Sequence, residues 1–510
     1  MHISRVAVIG AGVAGLTSAI DLAQAGFEVT LFERAAAPGG KIRETRIGDA
    51  GVDAGPTVFT MRRVFDEIFA DANDDLDRRL KLTRAGLLAR HAWSHTEHLD
   101  LYADIPSNVH SIGKFAGARE AEGFVRFSAQ ARRIYRTLDT TFMRAQRPSP
   151  VELARRVATL ADLWNIRPFT SLWRALGRYF RDPRLRQLFA RYATYCGSSP
   201  FRSPATLMLI AHVEQEGVWY VEGGIQRLAC ELAQLAQRKG AAIRCSTGIA
   251  EIVVKNGCVQ AVRTEQGEHI PVEAVVCNAD ASALARGLLG AGAARAARAT
   301  PTRERSLSAV TLALRARTSG FKLAHHSVFF GSDYRREFED IFRLGRLPSS
   351  PTIYVCAQDR RDASAPVEHS ERLLLLVNAP ANGDSREIDN SEMELCEERI
   401  FRSLRLFGLD IEHQPNAVIR TAPGDFQRLF PGTGGALYGP ASHGWMASFT
   451  RAGSRTAIRG LYLAGGSTHP GPGLPMAATS GRLAAAALLA DCGSTAFCRT
   501  AAMSGGMSMR

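Results

Sequence analysis

Residues able to do chemistry cluster at the two ends of this 510-residue chain. Near the start, Gly10, Gly12 and Gly15 form G-x-G-x-x-G between the apolar run RVAVIG (5–10) and the helical pattern VAGLTSAIDLAQA (13–25). The first glycine permits a tight turn, the second lets a pyrophosphate approach the backbone, and the third lets helix and strand pack closely. The free N–H groups and positive dipole end of that helix favour phosphate. Glu33 ends the next strand pattern, FEVTLFE, where a carboxylate takes ribose hydroxyls and repels a 2′-phosphate. A second glycine pair, Gly39-Gly40, followed by Lys41, lets the chain reach the diphosphate and ribityl region of a cofactor longer than NAD. At the far end, LYLAGGSTHPGPGLP (461–475) runs into the helical pattern MAATSGRLAAAALL, a turn suited to holding a ligand against a helix end.

Other chemistries find less support. Nine cysteines stand singly, with no C-x-x-C pair and an odd total, so neither a disulfide framework nor a metal site is expected. In AHVEQEGVWY, His212, Glu214 and Tyr220 are the candidates for catalytic or hydroxyl-binding work; the competing reading is a solvated helix end followed by packing aromatics.

The elements that must position these residues are legible in outline. The length calls for two or three domains. Residues 5–33 read as a β-α-β unit with Gly26 ending the helix. From about Phe65 to Tyr192 the pattern is mostly helical and basic. Ser203 and Pro204 read as the N-cap and first position of another helix. Residues 240–280 read as a meander of short strands with turns at Asn256-Gly257 and Gln266-Gly267, and 285–305 as a surface helix or linker. The formal net charge of +13 is concentrated: between Ala131 and Tyr192 fourteen arginines face four acids. No apolar run approaches the ~20 residues of a membrane span, and MHISRVAVIG enters a strand pattern with no leader signature. The expectation is a cytoplasmic protein.

The order of fingerprint, acid and Gly-Gly pair resembles the flavoprotein superfamily of amine oxidases, GDP-dissociation inhibitors and phytoene desaturases. Within it, DAGPT (53–57) and THPGPG (468–473) resemble the carotenoid desaturase group. DAGPTVFTMRRVFDEIF, YCGSSPFRSPATLMLIAHVEQEGVWYVEGG (195–224), FPGTGGALYG (430–439) and AGGSTHPGPGLPMAATSGR (464–482), taken in order, are similar to the hydroxyneurosporene and methoxyneurosporene desaturases of purple, photosynthetic bacteria.

That resemblance implies an α/β fold, with α+β elements in the second domain. A discontinuous Rossmann-like FAD-binding domain (1–75, 220–285 and 440–495) would carry a helical, basic segment (76–219), a substrate domain (286–439) and a tail (496–510). It implies non-covalent FAD held by Gly10, Gly12, Gly15, Glu33, Gly39, Gly40, Lys41, Gly55, Pro56, Thr57, Val253, Gly465, Gly466, Leu474, Pro475 and Met476. The C-terminal strand would return to the first domain and bring a helix N-terminus to the flavin. Many flavoproteins have Asp in that turn; Gly465-Gly466-Ser467 here offers no carboxylate, and no cysteine for a covalent link.

The implied reaction removes hydrogen from C3 and C4 of a 1-hydroxylated acyclic carotenoid, with hydride passing to flavin N5. Placement in a dry channel does most of the work, with a weak base or water sufficient for the proton. A carotenoid dissolves only in lipid, so the Arg-rich segment with Trp164, Phe169, Trp173 and Phe180 is expected to dock peripherally on an anionic inner-membrane surface. No recognition motif accompanies the charge, so nucleic acid is not expected as a partner. The alternatives are a phytoene desaturase, a carotenoid isomerase or a non-catalytic polyprenyl-binding chaperone; oxygen, a quinone and another carrier all stand as electron acceptors.

Overall fold

A computed structural model describes residues 4–156, 167–361, 370–414 and 417–504. Its first elements are the strand Arg5–Ile9, the helix Val13–Gln24 and the strand Glu28–Phe32. They found a parallel sheet of five strands in the spatial order Ala242–Arg244, Glu28–Phe32, Arg5–Ile9, Ala274–Cys277, Leu461–Leu463. Helices and a second sheet cover its faces, which is why its strands are near-continuous apolar runs. The registers place Phe32, Ile9, Cys277 and Leu463 abreast. Glu33, Gly10, Asn278 and Ala464, the residues that follow, therefore leave the sheet side by side. In open α/β sheets that carboxyl edge is where ligands bind.

The tail returns to the head, as the resemblance implied. The helix Leu474–Ser504 packs on Val13–Gln24. A Cβ on Gly481 would lie 2.2 Å from both Ala14 O and Thr17 Oγ1, so only hydrogen fits between the helices there. Thr17 Oγ1 donates to Ala478 O across the same contact (3.1 Å).

Beside the parallel sheet lies an antiparallel meander, Ile249–Lys255, Cys258–Thr264 and His269–Pro271. Its first turn is made by Asn256 and Gly257, with φ of 52° and 73°, the left-handed pair that a tight hairpin requires. The second large sheet has eight strands. Ser308–Gly320 pairs with Glu371–Ala379, Leu409–Glu412 and Val418–Thr421, and the sheet continues through Ile353–Ala357 and His326–Phe329 to Leu87–Ala92 and His98–Tyr102.

The last two strands correct the helical reading of 65–192. Charges such as Arg90 and Asp100, which give the stretch its polar cast, are cross-strand partners joined at 2.7 Å. The helix expected from Ser203 begins later, as a 3-10 turn over Ala205–Met208 that becomes α-helical only at Leu209–Glu216. Ser203 caps nothing there; its hydroxyl is buried without a partner. Nor do residues 285–305 form a helix. Two short 3-10 turns, Ala291–Ala296 and Thr302–Glu304, follow Gly287 and Gly290, whose φ of 76° and 91° break the helical path.

Candidate active site

The crevice at the carboxyl edge of the parallel sheet is shaped by glycines. A Cβ on Gly15 would fall 2.0 Å from Gly10 O, and one on Gly12 would fall 2.8 Å from Asn278 Nδ2. Gly39 bridges to Gly12 in parallel fashion, its N–H donating to Ala11 O (2.9 Å), so the second glycine pair lies against the first turn. Glu33 is buried beside them. Its Oε2 accepts from Ala11 N–H (2.7 Å) and its Oε1 from Ala35 N–H (2.8 Å). A carboxylate has about four acceptor positions, so capacity remains for ribose hydroxyls.

Two cations line the same region. Lys41 Nζ donates to Leu437 O (2.5 Å), and burial lowers its pKa. The Arg451 guanidinium donates to Tyr438 O, Pro440 O and Gly466 O, and burial pulls its pKa down to about 10. Neither forms an ion pair among the described residues, although Asp280 acts on both at longer range. Buried cations resting on carbonyls suit an anionic ligand, whose charge would compensate theirs. Glycine cradle, ribose acceptor and cations together fit a dinucleotide cofactor. Lys41, Glu33 and the helix starts at Val13 and Leu474 would hold it.

Most of the residues expected at this site gather here. Gly55 abuts the Gly39–Lys41 turn, since a Cβ on it would meet Lys41 O at 2.0 Å. Pro56 and Thr57 continue that loop, and Thr57 Oγ1 is 2.7 Å from Tyr354 Oη on the large sheet. Gly465 and Gly466 face Asn278 and Arg451; Leu474, Pro475 and Met476 open the closing helix. Val253 is the exception. It pairs with Ala261 inside the meander, roughly 20 Å by strand rise beyond Ser246 and Thr247, whose N–H groups bond Ala35 O and Glu33 O. The chain thus meets the Glu33 loop before that strand begins, which corrects the placement of Val253. Asn278 and Arg451 escaped the sequence reading. Asn278 had a usable signal, a polar residue directly after the buried run AVVC.

A second cluster lies on the inner face of the large sheet. Glu214 is buried and accepts hydrogen bonds from Tyr192 Oη (2.7 Å) and Tyr195 Oη (2.6 Å), while Arg191 donates to Tyr195 Oη (3.0 Å). Residues 212–216 are therefore not simply a solvated helix end. His212 points elsewhere, edge-on to Tyr135 and 3.5 Å from Glu216. Tyr220 lines a cavity of about 150 Å³ with Thr57, His325 and Cys356; its ring lies on His325 (4.3 Å), and burial raises its pKa. So of the three candidates, Glu214 and Tyr220 line cavities beside the large sheet, and His212 turns to Tyr135 and Glu216.

Between these groups sit residues the sequence did not flag. Tyr354 Oη joins Thr57 Oγ1 to His326 Nδ1, each at 2.7 Å. His325 Nδ1 is 2.7 Å from Arg360 O, and burial brings its pKa down to about 4. His325, His326 and Cys356 have ligand-type atoms within 4.8 Å of one another. The Cys356 thiol is pushed up to about 12 by burial, and both histidine Nδ1 atoms already have partners. The adjacent histidines in LAHHSVFF were the available signal.

Nine of the fourteen arginines in the basic segment are exposed among the described residues, so a positive face remains available. The aromatic contribution differs from expectation. Phe180 is core, stacked on Phe189 (4.8 Å) and edge-on to Phe127 (5.5 Å). Trp173 is half-buried under Arg186 and against Phe201. Trp164 lies outside the described residues. Phe169 alone projects, 74% exposed, and meets Trp445, itself 40% exposed, at 5.1 Å.

Comparison with known proteins agrees with this architecture. Residues 13–489 match the model of the flavin containing amine oxidoreductases. A hydroxyneurosporene desaturase of Rubrivivax gelatinosus is 52% identical, covering 99% of this chain and 97% of its own length. That of Cereibacter sphaeroides is 44% identical, covering 96% and 98%. Among solved structures, a putrescine oxidase bound to putrescine superposes with a TM-score of 0.56 at 13% identity, over 96% of this chain and 99% of that one. A fatty acid isomerase from P. acnes gives 0.58 at 15% identity, over 94% and 97%. Those two establish the fold, and none of the described helices is long and apolar enough to cross a membrane. A glycine-walled crevice closed by both chain ends, and kinship over the whole length, place the chain in the flavin containing amine oxidoreductase family, among the carotenoid desaturases of the hydroxyneurosporene type.

Proposed function

We propose that the chain holds FAD non-covalently and removes hydrogen from C3 and C4 of acyclic 1-hydroxycarotenoids, of the hydroxyneurosporene or methoxyneurosporene type, at a membrane surface. The observation that carries this reading is a convergence: the glycine turn of residues 10–15 and Gly465 meet at Asn278, and the 39–40 turn packs on Gly12, next to the interior face that bears Tyr354 and Glu214. FAD, when bound, supplies a two-electron acceptor for hydride. Loss of hydride from an allylic carbon leaves a cation spread over the polyene, so the neighbouring proton needs only a weak base or water. The chain's own residues bind, orient and exclude water. Gly12 and Gly39 admit the diphosphate, Glu33 takes the ribose, and the N–H groups of Leu474 and Met476 favour negative charge at the helix start.

Access to the lipid-dissolved substrate is assigned to the Phe169–Trp445 tip and the exposed arginines, docking peripherally on an anionic inner-membrane face. The test is conversion by flavin-loaded protein in liposomes, offered 1-hydroxyneurosporene and, separately, phytoene. The expected result is a red shift from one added conjugated double bond with the hydroxylated substrate. Conversion of phytoene alone would move the assignment to a phytoene desaturase; binding of both without conversion would favour the chaperone.

A further inference from the structure

An enzyme acting at C3 and C4 of a 1-hydroxycarotenoid reads its one polar group beside the carbons that react, so recognition and chemistry share a wall. The inner face of the large sheet is a wall of that kind. Thr57, in the loop next to the cofactor crevice, is bonded to Tyr354 Oη, and Tyr354 Oη to His326 Nδ1. His326 is 4% exposed, and its Nε2 is buried with no hydrogen-bond partner. It faces a cavity of about 10 Å³ whose other walls include Val58, Leu88, Val218 and Val328. That is roughly the room one oxygen-sized group needs.

Of the other polar groups in that wall, Glu214, Tyr195 and Tyr354 are engaged. Arg191, whose Nε is also buried without a partner, already donates to Tyr195 through its terminal nitrogen. Glu214 is held by two tyrosines, and Tyr195 is shared by Glu214 and Arg191. Two other buried histidines, His91 and His469, also have ring nitrogens without a hydrogen-bond partner, but neither lines this cavity. His326 does line it, and burial, with His325 and Arg191 adding to it, keeps its ring neutral.

We infer that His326 Nε2 is the hydrogen-bond partner of the oxygen on C1 of the substrate, which makes His326 the residue that selects hydroxylated carotenoids over the parent hydrocarbon. This rests on the functional reading above. A neutral imidazole tied at Nδ1 to a hydroxyl pair works in either sense. If Nδ1 donates to Tyr354, Nε2 accepts from the substrate hydroxyl; if Tyr354 donates to Nδ1, Nε2–H donates to the substrate oxygen. A hydrocarbon leaves Nε2 buried and unpaired, and that penalty is the source of discrimination.

The experiment uses the full-length, flavin-loaded enzyme in liposomes, with His326→Phe and His326→Gln variants and bound flavin per chain as the folding control. kcat and KM are measured for 1-hydroxyneurosporene, and Ki for neurosporene as a competitor. His326→Phe is expected to lower kcat/KM about 10-fold, mostly through KM, with the neurosporene Ki changed by less than about 2-fold and flavin content kept. His326→Gln, which restores a hydrogen-bonding atom, recovers part of the loss. An unchanged kcat/KM for the hydroxylated substrate overturns the assignment, and so does a parallel rise in the neurosporene Ki, which would mean His326 only packs. Should the parent enzyme leave 1-hydroxyneurosporene unconverted, the functional reading falls instead. The same two carotenoids, titrated as ligands against flavin absorbance, then decide about His326: selective weakening of the hydroxylated one supports it, equal weakening or none overturns it.

Discussion

At the carboxyl edge of the parallel sheet, binding is carried by backbone; on the inner face of the eight-stranded sheet it is carried by side chains. Gly12, Gly15 and Gly39 matter because nothing larger fits, Gly10 because its φ of 95° disfavours any side chain, and all lie within the first 40 residues. Glu214, Tyr195, His326 and Tyr354 matter because four distant stretches of chain bring a few polar atoms into an apolar wall. The first region imposes conditions on residue type and local spacing. Conditions on the second arise only after the strands have paired.

The most severe way to test the backbone region is Glu33→Arg. The guanidinium would take the place of the carboxylate that meets Ala11 and Ala35 and would face the ribose with the wrong chemistry. We expect protein that purifies without flavin, checked by absorbance and by FAD release on denaturation. A yellow, FAD-containing variant would show that the crevice is not where the cofactor sits.

The side-chain region should respond in the opposite way, losing stability while keeping the cofactor. Glu214→Gln removes a charged acceptor shared by Tyr192 and Tyr195 and leaves Arg191 without that negative neighbour. Hydrogen bonds to charged groups contribute about 1.5–3 kcal/mol each, and Gln retains one acceptor oxygen, so a loss of about 2 kcal/mol in urea unfolding is expected. Flavin content should match the parent. Flavin loss in step with stability would mean that the two regions do not act separately.

The same contrast explains what could be read in advance. The β-α-β unit, the acid at Glu33 and the tail turn announce themselves because left-handed glycines and a strand-to-helix junction have few sequence solutions. Val253 was misplaced since one apolar residue in a strand looks like its neighbours, and only the Ser246 and Thr247 backbone contacts fix where the chain passes Glu33. Leu87–Ala92 has a near partner in His98–Tyr102, but its other partner, His326–Phe329, lies over 200 residues away, and no local pattern records that pairing. The His326–Tyr354–Thr57 relay joins three segments by hydrogen bonds that no periodicity records.

The exposed tip offers the mildest test, because it touches neither region. Phe169 and Trp445 come from stretches far apart in sequence yet stack edge to face in solvent, an arrangement that stabilises little in water and more in a lipid interface. Phe169→Ser should leave unfolding and flavin content unchanged. It should weaken cosedimentation with phosphatidylserine vesicles by about 1 kcal/mol, roughly fivefold. The arginines contribute the salt-dependent part, so binding of the parent should fall as ionic strength rises, and the Phe169→Ser decrement should persist at every salt concentration. Equal vesicle binding by parent and variant would remove the tip from the docking face and leave the arginines as its only support. A decrement that vanished at high salt would mean Phe169 acts by presenting charge and not by entering the lipid.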